Sequence, residues 1–346
     1  MPALPQRITH VLFYCIVVLL LTTCGCTSVE GKKTNHWAVI VSSSRFWFNY
    51  RHTSNALTMY HILRQHGIDD DHIILFLPDS FACSPTNLYP GSIVYESAED
   101  AEDAQRKNLY GCSTQVDYAG DDVDVKRFLS VLQGRYDGST PPTRRLRSDE
   151  DSNILIYVAG HGARSYFKFQ DSEFVGSSDI AETFSLMHAQ RRYNKILFLA
   201  DTCHAIALCE SIEAPNVACL ASSMAEEESY SQGTDYKMGV ALSSEWMNEA
   251  LFLLDGTDCA SETAGTNIPE VVLSTGRANA ERRSMLHLSW FDFNYHPLRA
   301  RSGTKSTPAH RDAVNNPRAL HEWKVSEFIC GEKAEGAPIK VQDGLL

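Results

Sequence analysis

The sequence predicts an α/β fold: a mostly parallel sheet flanked by helices, with a less regular C-terminal region. Two features of the pattern and one of the composition carry this. Between residues 36 and 222, short apolar runs recur without the polar alternation of a half-wet strand, which is how strands buried on both faces read. Helical periodicity fills the gaps between them, and strand–helix alternation builds a parallel sheet with right-handed crossovers. The chain of 346 residues is 43% hydrophobic and 21% charged, enough to bury such a sheet and unlike a disordered, collagenous or coiled-coil chain.

Taken in order, the strands are predicted at residues 37–43 (WAVIVSS), 72–77 (HIILFL), 154–159 (ILIYVA) and 196–200 (ILFLA), with a weaker fifth at 217–221. A helix over 54–65 stops at Gly67. A second over 122–132 places Val125, Phe128, Leu129 and Leu132 on one face and ends before Gly134, and a third covers 179–193. Three stretches break the rhythm. Residues 78–118 form a long insertion that carries Cys83 and an acidic run from Glu99 to Asp103. Residues 137–152 (DGSTPPTRRLRSDEDS) read as an exposed loop whose charges are solvated. Beyond about residue 255 the pattern loosens, and no second compact domain is assigned there.

The first residues stand outside this scheme. Arg7 precedes an unbroken apolar run over 11–21, followed by small and polar residues to Cys26. That is the layout of a secretory signal peptide over residues 1–26. The alternative is an uncleaved anchor, although eleven apolar residues fall short of the roughly 20 that span a bilayer. No later segment reaches that length. Seven cysteines remain after such cleavage: Cys83, Cys112, Cys203, Cys209, Cys219, Cys259 and Cys330. An odd number in an oxidising lumen leaves a thiol free or bonded to another chain. No CxxC and no paired Cys/His spacing suggests a structural zinc site. The formal net charge is −12, which repels phosphate backbones and argues against a nucleic-acid partner.

Chemistry concentrates where two predicted strands end. One runs into Gly160-His161-Gly162 and the other into Asp201-Thr202-Cys203-His204. In an open parallel sheet the carboxyl ends of the strands line the ligand crevice, so a His and a Cys 42 positions apart can face each other there. Cys203 is expected to open a helix, with Asp201 or Thr202 as its cap and its thiol pKa lowered by the helix terminus and by imidazolium. The Gly162 and Cys203 amides are expected to form an oxyanion hole. A lone Cys or His at a strand end is usually a small core or capping residue; the pairing on one edge makes catalysis the better reading. Cys209 and Cys219 read as core residues or disulfide partners, and His204 as a bystander.

These residues resemble the caspase/legumain type of cysteine peptidase. Within it, residues 44–52 (SRFWFNYRH), 167–173 (FKFQDSE) and 191–194 (RRYN) are similar to the family of glycosylphosphatidylinositol (GPI) transamidase catalytic subunits, over about residues 35–255. The resemblance implies a caspase/legumain-like sheet and makes Cys203 the nucleophile, His161 the proton donor and acceptor, and Asn49 the residue that orients His161. Read alone, Asn49 would be a turn residue. The same resemblance places Ser222 and Ser223 at the primary specificity pocket, where small hydroxyls suit a small side chain, and Arg51 among the substrate-binding residues. It also implies calcium near Asp70, the Ile73 backbone, Gln115 and Asp117, a structural ion that the chemistry itself does not need. Gln115 stands where relatives carry a carboxylate, which weakens a calcium site.

The expected activity is therefore transfer of an acyl group from the C-terminal signal of a proprotein, through a Cys203 thioester, to the ethanolamine amine of a GPI lipid. No cofactor is required. Expected partners are the other subunits of a membrane-bound complex, the proprotein and the lipid, with the chain in the lumen of the endoplasmic reticulum and held at the membrane by those subunits. Cys83, on a loop flanked by Pro78 and Pro85, is expected to form a disulfide with a partner subunit; the alternative is an internal bridge to Cys112. Rival readings are a legumain-type asparaginyl endopeptidase, for which Arg51-His52 does not discriminate, and a catalytically silent binding subunit.

Overall fold

In the computed structural model, which describes residues 35–78, 81–111, 113–170, 172–255, 259 and 306–331, the apolar runs become the central strands. They are β1 (His36–Ser42), β2 (Ile73–Leu77), β4 (Asn153–Ala159), β8 (Lys195–Asp201) and β9 (Val217–Ala221). A two-residue strand, β3 (Tyr118–Ala119), and a C-terminal one, β12 (Ala309–Arg311), complete a seven-stranded sheet in the order β12-β9-β8-β4-β1-β2-β3. Every pairing is parallel except that of β12 with β9.

Alternate residues of each central strand feed two apolar cores, one on each face. Ala38, Ile40, Leu75, Tyr157 and Leu199 lie in one; Val39, Val41, Phe76, Ile156 and Phe198 lie in the other. This is why the strands read as continuous apolar runs: neither face meets water. Each buried Val, Ile, Leu or Phe among them contributes about 1.5–3 kcal/mol relative to its exposed state.

The first core is covered by α1 (Tyr50–Gln65), with α2 (Ala101–Arg106) in the insertion beside it. The second is covered by α3 (Val125–Leu132), α4 (Ser177–Ala189) and a small antiparallel sheet of β5 (Gly162–Ala163), β6 (Tyr166–Phe169) and β7 (Glu173–Gly176). Helix boundaries depart from the sequence reading for local reasons. α1 begins at Tyr50, four residues before the predicted start, so Ser54 lies inside it with its hydroxyl donating to the Arg51 carbonyl at 3.1 Å. Asp124, not Asp122, caps α3, accepting the Arg127 N–H at 2.6 Å. In α4, Asp179 sits inside the first turn and accepts the Gly176 N–H at 2.9 Å.

The boundary drawn at residue 255 is not a boundary of the core. After the hairpin β10 (Ser231–Asp235) and β11 (Val240–Ser244), α5 (Glu245–Asp255) packs on the first core. So do α6 (Ala319–Glu322) and α7 (Ser326–Ile329), through Leu320, Trp323, Phe328 and Ile329. Lys195 pairs with Glu327 at 2.9 Å, and a Cys259–Cys330 disulfide ties the end of α7 to a residue 71 positions earlier. The sequence hid this because two four-residue helices carry no periodicity. Among the described residues no helix is long and apolar enough to cross a membrane. The leader assigned to residues 1–26 lies outside the described residues, as do Cys112 and most of 256–346.

Candidate active site

The parallel sheet ends β4 and β8 side by side, with Ala159 opposite Asp201. The chain therefore leaves both strands at one edge, into His161 and Cys203. Glycine is required on both sides of His161 by close approach. A Cβ at Gly160 would collide with Ser43 Oγ and stand 2.9 Å from Phe167 Cζ, and one at Gly162 would lie 2.5 Å from Thr202 Oγ1. The imidazole is held from behind. Its Nε2 lies 2.8 Å from Asn49 Oδ1, and Asn49 is completely buried. The Asn49 amide cannot be turned round, because its Nδ2 donates to the Arg45 carbonyl at 2.6 Å. Its Oδ1 therefore accepts, His161 carries its proton on Nε2, and Nδ1 holds the ring's lone pair.

His52 stands edge-on to His161, ring centroids 5.0 Å apart and planes 83° apart. Its Nδ1 lies 2.8 Å from Ser44 Oγ. Burial first, then the Arg51 and His161 charges, push its pKa well below the usual histidine range. It is a neutral wall.

Cys203 does not open an α-helix. It occupies a turn, His204 follows in the left-handed region at φ 52, and only a four-residue 3-10 turn, Ala205–Leu208, comes after. With no helix terminus to stabilise a thiolate, burial raises the thiol's pKa above its ordinary value, and Glu228 and Asp201 push the same way; the Ser229 amide and Arg51 oppose. Burial thus works against the expected lowering. Ser229 N–H points at Sγ over 3.4 Å. His204 turns away, its Nδ1 2.6 Å from the Ala225 carbonyl.

The two amides expected to bind an oxyanion are not spent on the backbone ladders. The Cys203 N–H makes no hydrogen bond among the described residues. Lys168 donates to the His161 carbonyl at 2.8 Å, so Gly162, opposite Phe167, falls at a pair that the antiparallel ladder does not bond.

Ser222 and Ser223 are corrected in role. Both are fully buried and clamp the nucleophile turn from beneath. Each hydroxyl donates to the Thr202 carbonyl at 3.0 Å, while Ser222 Oγ accepts Thr202 N–H and Ser223 Oγ accepts Ala205 N–H, both at 3.1 Å. The cleft itself, a tight space of about 10 Å³, is lined by His161, Cys203, Arg51, Asp201, Tyr230 and Ser244, among others. Asp201 and Ser244 were missed. The Asp201 carboxylate is fully enclosed, its pKa raised by burial, and it accepts from Ser244 at 2.8 Å, Tyr157 at 3.0 Å and Asn55 at 3.1 Å. No spacing rule in the sequence could have joined Asn55, Asp201 and Ser244.

The residues expected around calcium lie near one another, Asp70 and Gln115 both meeting the Tyr60 hydroxyl. Asp70 is paired with Arg64 at 3.1 Å and accepts from Tyr60. Asp117 accepts the Leu75 N–H at 2.9 Å and has its pKa pushed up to about 7, chiefly by burial. Gln115 reaches Asp117 only at 3.5 Å. Ile73 opens β2 beside them. Among the described residues no three His, Cys, Asp or Glu side chains gather around one point.

Of the remaining cysteines, Cys209 and Cys219 form a disulfide that ties the turn after Cys203 to β9. Cys83 is an exposed free thiol.

A thiol and an imidazole on the carboxyl edge of a parallel sheet, with an amide fixing the imidazole, form the constellation of a cysteine-type peptidase. Residues 36–289 match the Peptidase C13 family, and the chain belongs to it. It is 40% identical to the GPI-anchor transamidase of Saccharomyces cerevisiae over 255 residues, covering 72% of this chain and 61% of that one. The corresponding figures for the GPI-anchor transamidase of Homo sapiens are 43% over 230 residues, 66% and 57%. The chain thus spans about three fifths of the length of these relatives. A caspase-1 structure from Spodoptera frugiperda aligns at TM-score 0.38 and 9% identity, over 67% of this chain and 74% of that one, a likeness too distant to carry an argument.

Proposed function

We propose that the chain is the catalytic subunit of a GPI transamidase. The observation that carries this reading is the His161 imidazole, locked by Asn49 with its lone pair on Nδ1, lining one cleft with Cys203 in a chain whose relatives bear that name.

In the proposed reaction Cys203 Sγ attacks the carbonyl carbon at the attachment residue while its proton passes to His161 Nδ1. The raised thiol pKa makes this a proton transfer coupled to attack, not reaction of a standing thiolate. The Gly162 and Cys203 amides hold the oxyanion. The C–N bond then breaks, and His161 returns its proton to the departing amine of the signal segment. The terminal amine of ethanolamine phosphate attacks the thioester, gives its proton to His161, and the thiol leaves. One amide replaces another, so the step runs without ATP. In such a reaction the attachment residue carries a small side chain, as GPI signals do.

The same reading places the chain in the lumen of the endoplasmic reticulum beside partner subunits, with Cys83 available for an intermolecular disulfide. Alkaline carbonate should release it from membranes; retention in the pellet would favour an N-terminal anchor.

The test uses a peptide ending in a GPI-type signal, with hydrazine as the amine. A hydrazide product supports transamidation. Free acid alone would assign hydrolysis, as in an asparaginyl endopeptidase, and no turnover would assign a silent binding subunit.

A further inference from the structure

The loop at residues 137–152 reads in the sequence as solvated charge. In the structure its arginines fold back onto rings. The Arg144 guanidinium lies 5.9 Å from the Tyr118 ring centre, Arg145 lies 5.6 Å from that of Tyr136, and Arg147 lies 5.9 Å from that of Trp37. Beside them opens a cleft of about 310 Å³ against α3, sharing no residue with the catalytic one. Lys126 and Arg135 line it and are exposed. Among the described residues neither they nor the three loop arginines have a carboxylate within ion-pair distance.

Of the acids nearby, two are paired with a cation, and the third keeps its negative charge. Arg127, also in the wall, is matched by Asp122 at 2.9 Å and by Asp124. Asp137, the one carboxylate lining the cleft, accepts from both the amide and the hydroxyl of Ser139 and of Thr140. Lys126 and Arg135 thus stand in the wall without an ion-pair partner among the described residues, in a chain of net charge −12, whereas Arg145 donates to the Thr140 carbonyl at 2.9 Å and Arg144 acts on Asp117.

We infer that this cleft binds a phosphorylated sugar or alcohol, its phosphate held by Lys126 and Arg135 and its body lying along Tyr136. The volume decides the class, since about 310 Å³ is room for a headgroup-sized molecule and far more than inorganic phosphate fills. The Ser130 hydroxyl, also in the wall, offers a further donor to phosphate oxygen. The Tyr136 ring is fixed for packing because its hydroxyl donates to the Val131 carbonyl at 3.0 Å and accepts the Leu146 N–H at 2.6 Å. This inference does not rest on the transamidase reading.

The experiment titrates the full chain with glycerol 1-phosphate by calorimetry and, in a second arm, floats it with phosphatidylcholine vesicles containing phosphatidylinositol. Saturable glycerol phosphate binding that weakens with salt, and at least about tenfold in K126Q/R135Q, is the expected result. Vesicle binding competed by glycerol phosphate would make the source a lipid headgroup; binding in the soluble arm alone would make it a soluble phosphate ester. No binding in either arm, or binding unchanged in K126Q/R135Q, overturns the inference. Both substituted residues are exposed, so the unfolding temperature without ligand should not move. Should that variant fail to fold, R135Q and S130A tested singly decide the question in the same way. Hydrazide formation should be unchanged in every variant.

Discussion

Asn49 Oδ1 lies 2.8 Å from His161 Nε2, across 112 positions of chain, and the same amide donates to the Arg45 carbonyl. One side chain thus fixes both the tautomer of the imidazole and the turn that leads into α1. A neutral acceptor does this without adding a charge beside the ring.

Asn49→Ala should therefore lower kcat by about ten- to a hundredfold, less than the ~10²–10⁴ that loss of the imidazole costs, with little change in KM. Asn49→Asp separates orientation from charge. Its carboxylate keeps the acceptor but favours imidazolium, so the acid limb of the kcat/KM profile should move to higher pH. An unmoved limb with wild-type kcat in both variants would remove Asn49 from the mechanism.

What was legible in the sequence was whatever burial writes into consecutive residues. β1, β2, β4, β8 and β9 declare themselves because both faces are dry, and His161 and Cys203 follow from where β4 and β8 stop. What the fold assembles from distant, short pieces stayed hidden. Ser244 meets Asp201 only because β11 ends beside the site, and Trp323 and Phe328 join the core from helices of one turn. The clamp made by Ser222 and Ser223 was read as a pocket wall, since a strand end gives no sign of whether its hydroxyls face substrate or the neighbouring turn.

The thiol of Cys203 supplies a second prediction. Burial raises its pKa above the ordinary 9.0, so at neutral pH it holds less thiolate than a free cysteine, and the deficit closes only as pH rises. Alkylation of Cys203 by iodoacetamide should accelerate about tenfold per pH unit through the neutral range, without a plateau below pH 9.0. A fast, pH-independent rate in the acid range would instead reveal a standing thiolate–imidazolium pair. Cys203→Ala provides the blank and should also abolish hydrazide formation while leaving the fold intact.

Ser222 tests the clamp. Its hydroxyl both accepts from and donates to Thr202, and Ser222 is fully buried. Ser222→Ala strands a buried amide proton, at a cost of about 1–3 kcal/mol, and loosens the turn that aims Sγ. The unfolding temperature should fall by several degrees and kcat should drop while KM holds. A pocket wall would behave differently: KM would change with the size of the attachment residue, and stability would not.

Cys83 is the remaining free thiol besides Cys203 among the described residues, and it is exposed. Cys209 and Cys219 satisfy each other, as do Cys259 and Cys330, which narrows the candidates for a bond to another chain. The 3-10 turn Phe81–Cys83 explains how the loop presents it: Phe81 and Ala82 are buried against the first core, so the sulfur is held outward on an anchored turn instead of trailing on a loose loop. A disulfide to a partner subunit costs little ordering entropy from such a position. Cys83→Ser should remove a high-mass band from a non-reducing gel of the membrane-extracted complex and lower GPI attachment without eliminating it. Cys112→Ser should leave that band in place. Loss of the band in Cys112→Ser with its persistence in Cys83→Ser would assign the intermolecular bond to Cys112, and absence of the band from wild type would leave Cys83 as an unpaired surface thiol.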